Sequence, residues 1–245
     1  MDPTPSIFAP FFVCKEGVIS LNLRSINIVT SASIFVYIFA AVYQTCTDGT
    51  FVCDETHFPW ISDFIKLPLY DRVFCILTMV HSFTSMLGVI RSFWKIQHDI
   101  GTSDLYNGIA ALFGCISVVA LPGDALCDGD NFGRWHHYMA LSFFVGTLIY
   151  ALMLTTNLVC NYSKFNTEDQ SVIQKMCMVI GLILCLGAFD MYLKIYHIKW
   201  NLLGPFVEWV GTVLVIAFYI VASFVNHKFD SVALVEAKPI KKITP

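Results

Sequence analysis

The chain has 245 residues, of which 56% are hydrophobic and 13% charged, and its mean hydropathy is +0.66. That balance excludes an ordinary water-soluble domain and predicts an integral membrane protein whose partners are membrane lipids. The formal net charge of −3, with no basic surface in the sequence, excludes a nucleic-acid partner.

In chain order, the first twenty-five residues read as a short lead in which Phe8, Phe11 and Phe12 lie at the membrane interface. Six apolar runs follow, at about 26–43, 73–93, 105–121, 138–159, 172–195 and 202–225, each long enough to span. None alternates polar and apolar residues as a barrel strand does, and lipid offers no partner to an open sheet edge. The expectation is therefore an all-α integral membrane protein, a six-transmembrane-helix bundle forming one domain over residues 1–245.

The first span has no charge, and it leads into a loop rich in aromatics and prolines, where Pro59 to Leu67 suggests an interfacial or re-entrant piece. Cys46 and Cys53 share that loop and can pair in an oxidising compartment, the alternative being two unpaired thiols. The second span sets Thr78, His81, Ser85, Gly88 and Ser92 near one face at steps of three and four. His81 falls near the bilayer middle, either as a functional group or as a hydrogen-bonding link between helices. Pro122-Gly123-Asp124 reads as the break that ends the third span.

Arg134-Trp135-His136-His137 opens the fourth span; adjacent histidines point about 100° apart on a helix and do not readily share one metal ion. No cofactor motif and no metal-ligand spacing occurs. In the fifth span, Asp190 and Lys194 stand four apart, acid before base, and Cys177, Gly181 and Cys185 suggest a close-packing seam. Pro205 suits the first turn of the sixth span, and Glu208 stands about a turn further in.

Six spans put both termini on one side. Ten Lys and Arg residues then fall on the terminal side and five (Lys66, Arg72, Arg134, Lys194, Lys199) on the other, which predicts cytosolic termini. The sequon Asn161-Tyr162-Ser163 lies on the terminal side and is expected to stay unmodified. Arg72, His136, His137, Asp190, Lys194 and Glu208 come from four helices yet gather at the lumenal ends, with His81 deeper. A polar pocket there suits an anionic lipid headgroup with its chains left in the bilayer, and Glu208 with a histidine such as His81 suits acid/base ester chemistry.

Arg72-Val73-Phe74-Cys75-Ile76 with His81-Ser82, the preceding Pro59-Trp60-Ile61-Ser62, and Glu208-Trp209 together resemble the FRAG/DRAM/SFK superfamily of six-span proteins. Within it the chain is most similar to the remodelling factors that act second in the lipid exchange of GPI-anchored proteins. The resemblance implies fatty-acid remodelling of GPI anchors in the lumenal leaflet of the Golgi or endoplasmic reticulum, with GPI-anchored proteins as partners. It leaves open whether the chain is itself an enzyme. In that branch the last helix carries an Asn and a His where this chain has Val215 and Tyr219; if those groups do chemistry, this chain is a divergent or non-catalytic member. Other superfamily branches imply the alternative, a non-enzymatic membrane adaptor of the autophagy-modulator or phosphoinositide-kinase-organiser type.

Overall fold

The computed structural model describes residues 12–15, 18–54, 57–64, 67–127, 129–196, 198, 200–224 and 231–236. Phe8, Phe11, Lys66, Lys199 and the tail lysines Lys238, Lys241 and Lys242 lie outside the described residues. Six long apolar helices run back and forth: α1 (Leu23–Thr47), α3 (Pro68–Lys95), α4 (Asp104–Leu126), α5 (Gly129–Cys160), α6 (Thr167–Tyr196) and α7 (Trp200–Ser223). A single-turn helix, α2 (Ile61–Phe64), interrupts the first loop. Helices neighbouring in sequence pack together and α7 returns to α1, closing the bundle.

Local chemistry sets the helix ends. Asn22 caps α1, its side chain accepting from the Ser25 amide at 3.1 Å. Pro68 begins α3 after an extended Leu67, the backbone that a following proline favours. Asn166 Oδ1 accepts from the Asp169 amide at 2.8 Å, and Glu168 and Asp169 complement the first turn of α6.

Several helices are longer than their apolar cores. Pro122 does not end α4: it lies inside, and the helix continues to Leu126. The missing N–H leaves one carbonyl short, a defect that packed membrane helices tolerate by local adjustment. Similarly, Pro205 falls in the second turn of α7, because the helix begins at Trp200. α5 starts at Gly129 and bends at Phe132 (φ −125°, ψ 26°) before its apolar run.

Two clusters make up the core. Nearer the terminal side, residues including Val89, Tyr150, Leu158, Met176 and Phe218 join α3 to α7; on the far side Ile34, Phe64, Phe74 and Trp209 join α1, α2, α3 and α7. The tightest seam is between α4 and α5. A Cβ on Gly146 would lie 3.2 Å from the Phe113 carbonyl oxygen and one on Gly114 2.9 Å from Val89 Cγ1; beside them the Ser117 hydroxyl donates to the Phe143 carbonyl and bonds Thr147. The small residues expected to make a seam on α6 do not: Cys177, Gly181 and Cys185 are exposed. Large apolar side chains such as Val36, Phe39, Leu105, Leu112 and Met178 also face outward, a surface suited to lipid.

On the terminal side, the described part of the lead forms strands. β1 (Phe12–Lys15) and β2 (Val18–Asn22) pair antiparallel, and β3 (Ser231–Glu236) adds to the other edge of β2, giving the order β1-β2-β3. Glu16 and Gly17, between the first two strands, lie outside the described residues. Valine, isoleucine and phenylalanine favour the extended backbone, but the third strand comes from the far end of the chain. Arg24, at the start of α1, sits 3.7 Å over the ring of Phe224, a second tie between the two ends.

Candidate functional site: a lateral cavity between α5, α6 and α7

Glu208 and Trp209, in the third turn of α7, hold the first loop. Glu208 Oε2 accepts from the Ile61 amide at 2.9 Å, and Trp209 Nε1 donates to the Pro59 carbonyl at 3.1 Å. The turn they grip is self-capped, with Asp63 Oδ2 accepting from the Trp60 amide at 3.0 Å, half of a capping box. Phe58, Phe64 and Phe39 surround the Trp209 ring at centroid distances of 5.7 to 6.2 Å. Nearby, Cys46 and Cys53 form a disulfide. The carboxylate of Asp48, which follows α1, accepts from the Thr50 hydroxyl and amide, and these bonds hold its carboxyl below the usual carboxylate range.

Beneath this clasp lies a cavity of about 460 Å³ between α5, α6 and α7. Trp60, His137, Asp190, Lys194 and Glu208 line its far-side end; Phe144, Leu148, Ile183 and Val215 line its apolar depth. Leu141 and Val145 border it while remaining 60% and 42% exposed, so the cavity opens sideways toward lipid. Asp190 and Lys194 form an ion pair of 2.8 Å at the mouth. Glu208 differs, because its hydrogen bond comes from a neutral amide and no cation among the described residues is in ion-pair contact with it. No group of three or more His, Cys, Asp or Glu side chains among the described residues is placed to hold a metal ion.

The structure brings together His137, Asp190, Lys194 and Glu208 and separates the other candidates. His136 turns away from the cavity and into the bundle, where its Nδ1 lies 2.9 Å from Asp124 Oδ1; its ring centroid is 5.8 Å from that of His137. Arg72 is exposed at the start of α3 and does not line the cavity. His81 is 2% exposed, with Nδ1 3.3 Å from Ser31 Oγ on α1 and Nε2 3.4 Å from Ser85 Oγ one turn along α3. It meets the edge of Tyr219 at 6.5 Å, and Tyr219 in turn stacks on Tyr150 at 5.9 Å. His81 does not line the cavity, and Glu208 and His81 form no pair.

Asp124 is the residue that sequence reasoning missed. With α4 taken to end at Pro122, Asp124 reads only as part of the break that follows, whereas it lies inside the helix and pairs with His136. A second polar group lies at the opposite end of the bundle. There the Asn157 amide donates to Asn107 Oδ1 at 2.7 Å and to Thr102, Asn161 donates to the Asn157 carbonyl at 2.9 Å, and Lys164 Nζ donates to the Ile100 carbonyl at 3.0 Å. Every named donor has an acceptor, which fits a structural knot between two loops.

Fold and site together define a six-helix membrane protein with an amphipathic cavity open to the bilayer. A family model described as the Frag1/DRAM/Sfk1/Cwh43P N-terminal domain matches residues 20–224, and the chain belongs to that family. No curated protein and no solved structure matches the chain.

Proposed function

We propose that the protein takes part in lipid remodelling of GPI anchors, receiving one chain of the anchor lipid in the cavity while the headgroup stays at its polar end. The observation that carries this reading is the division of one cavity into a charged mouth and an apolar depth, with a lateral opening through which a bilayer lipid can enter. Family membership supports it, and the Pro59-Trp60-Ile61 and Glu208-Trp209 motifs meet through two hydrogen bonds that set Trp60 and Glu208 in the cavity lining.

The orientation in this proposal has cytosolic termini and a lumenal cavity mouth, in the Golgi or endoplasmic reticulum. Support comes from the ten-to-five distribution of Lys and Arg and from the Cys46–Cys53 disulfide on the side opposite the termini. Of the two candidate catalytic residues, we assign contact with the substrate to Glu208; His81, held between two serines, serves helix packing. His137, Asp190 and Lys194 are assigned to the headgroup end.

One observation favours the non-enzymatic reading as the second choice. Val215, where the related branch carries Asn, lines the cavity as an apolar residue, and Tyr219, where it carries His, is buried in an aromatic stack. Such a cavity holds lipid without cleaving it, as a membrane adaptor requires.

The test is rescue in cells that lack the endogenous remodelling factor. Wild-type protein is expected to restore surface GPI-anchored protein, and His81→Ala to restore it as well. Gly211→Leu is expected to fail, because a Cβ there already lies 3.6 Å from Leu186 and Phe144 and a larger side chain fills the groove. Absence of rescue by an expressed wild type would move the assignment to the adaptor class.

A further inference from the structure

We infer that the cavity selects a lipid whose headgroup carries an ammonium, received between the Glu208 carboxylate and Trp60, rather than an anionic headgroup. This deepens the lipid-remodelling reading and rests on it. At the cavity mouth Lys194, the one lysine or arginine among the described lining residues, stands 2.8 Å from Asp190, so the pair is close to neutral as a unit. Among the described residues, the Glu208 carboxylate accepts from the Ile61 amide and is in ion-pair contact with no cation.

Other acids stand at the same end. Asp63 Oδ2 accepts from the Trp60 amide at 3.0 Å, next to the turn that Glu208 holds, and Asp124 is 2.9 Å from His136. A half-buried carboxylate with no cation beside it among the described residues is costly where water is scarce, and an incoming ammonium removes that cost. Trp60 lines the same end of the cavity, and an indole beside a carboxylate is a recurrent setting for an alkylammonium. A phosphate unit on the same headgroup would then lie outward, toward Lys194 and His137. A purely anionic headgroup would meet Glu208 with like charge and lose that gain.

A phosphoethanolamine lipid and an amino-sugar glycolipid both carry a primary ammonium, and N-acetylation removes the charge from either while keeping chains and phosphate. The experiment measures binding to the purified full-length protein in detergent by native mass spectrometry. The probes are phosphatidylethanolamine, glucosaminyl-phosphatidylinositol, their N-acetyl forms and phosphatidic acid. Wild type is expected to bind at least one amine about tenfold better than its N-acetyl form and than phosphatidic acid, and the better-bound amine identifies the source. Glu208→Gln preserves an acceptor for the Ile61 amide but not the charge, and is expected to erase the preference.

Equal binding of amine and N-acetyl forms, or a preference unchanged in Glu208→Gln, overturns the headgroup inference and leaves the lipid cavity standing. Lipid binding that survives Gly211→Leu overturns the cavity reading itself, and the inference with it. If Glu208→Gln loses its monodisperse gel-filtration peak, Trp60→Leu decides on the same ratio: a preserved tenfold preference overturns the inference, and a collapsed one supports it.

Discussion

At the scale of single residues, Asp124 and Glu208, two of the acids on the far side of the bundle, have different tasks. Asp124 is matched by His136 inside the protein, at 2.9 Å and with side-chain exposures of 18% and 9%. Glu208 is matched by the Ile61 amide and faces a cavity. Removing one partner of a shielded pair leaves the other desolvated and unsatisfied. His136→Ala is therefore expected to lower stability by about 1–3 kcal/mol, read as the unfolding transition of purified protein in detergent followed by tryptophan fluorescence. The double variant with Asp124→Asn should cost less than the two single changes added together, since each removes the same contact. His137→Ala, one position away but at the cavity, should leave that transition nearly unchanged and alter lipid binding instead.

The sequence revealed which residues stand at the far-side helix ends, because rise per residue and span length fix depth. Depth does not fix direction around the helix axis. His136 and His137 are neighbours in sequence and are divided between core and cavity by a rotation of about 100° that no apolar pattern reports when both lipid and core are apolar. His81 was legible as a buried polar group, and its serine neighbour on α3 lies at the expected one-turn spacing. Its other partner, Ser31, comes from α1 and depends on packing that the sequence does not display.

Between elements, the same ambiguity explains why one small-residue stripe packs and another does not. Gly114 and Gly146 let α4 and α5 approach until a Cβ would strike backbone or a neighbouring ring, whereas a Cβ on Gly181 meets nothing within 4 Å. Gly146→Leu is expected to destabilise by about 1–3 kcal/mol or to prevent assembly, because the Phe113 carbonyl cannot move aside without breaking α4. Gly181→Leu should change stability by less than about 0.5 kcal/mol in the same unfolding measurement. The prolines teach the complementary lesson. Pro122 and Pro205 were read as boundaries, a rule learned in water, but in lipid a helix that stops early strands backbone groups with no water to receive them.

For the whole molecule, the six spans followed directly from hydropathy, while the closure of the bundle did not. β2 pairs with β1 across two residues and with β3 from the opposite terminus, and nothing in a short Ser231–Glu236 segment marks its partner. Deleting the chain from Ser231 onward leaves β1 and β2 as a two-stranded pair, which is marginal in water. Faster amide hydrogen exchange over residues 12–22, with α3 to α5 unchanged, is the expected result; unchanged exchange at 12–22 would refute the contribution of β3.

The order of synthesis gives that sheet a further meaning. Asn22 leaves the ribosome about two hundred residues before Ser231, which at about 5–20 residues per second is a wait of roughly ten to forty seconds. Throughout that interval β2 presents an unpaired edge, a template for pairing with another chain. The edge is covered only after the last helix has been threaded into the bilayer. A stalled or misinserted chain therefore stays open at its second strand, and a finished one closes that edge with its own tail.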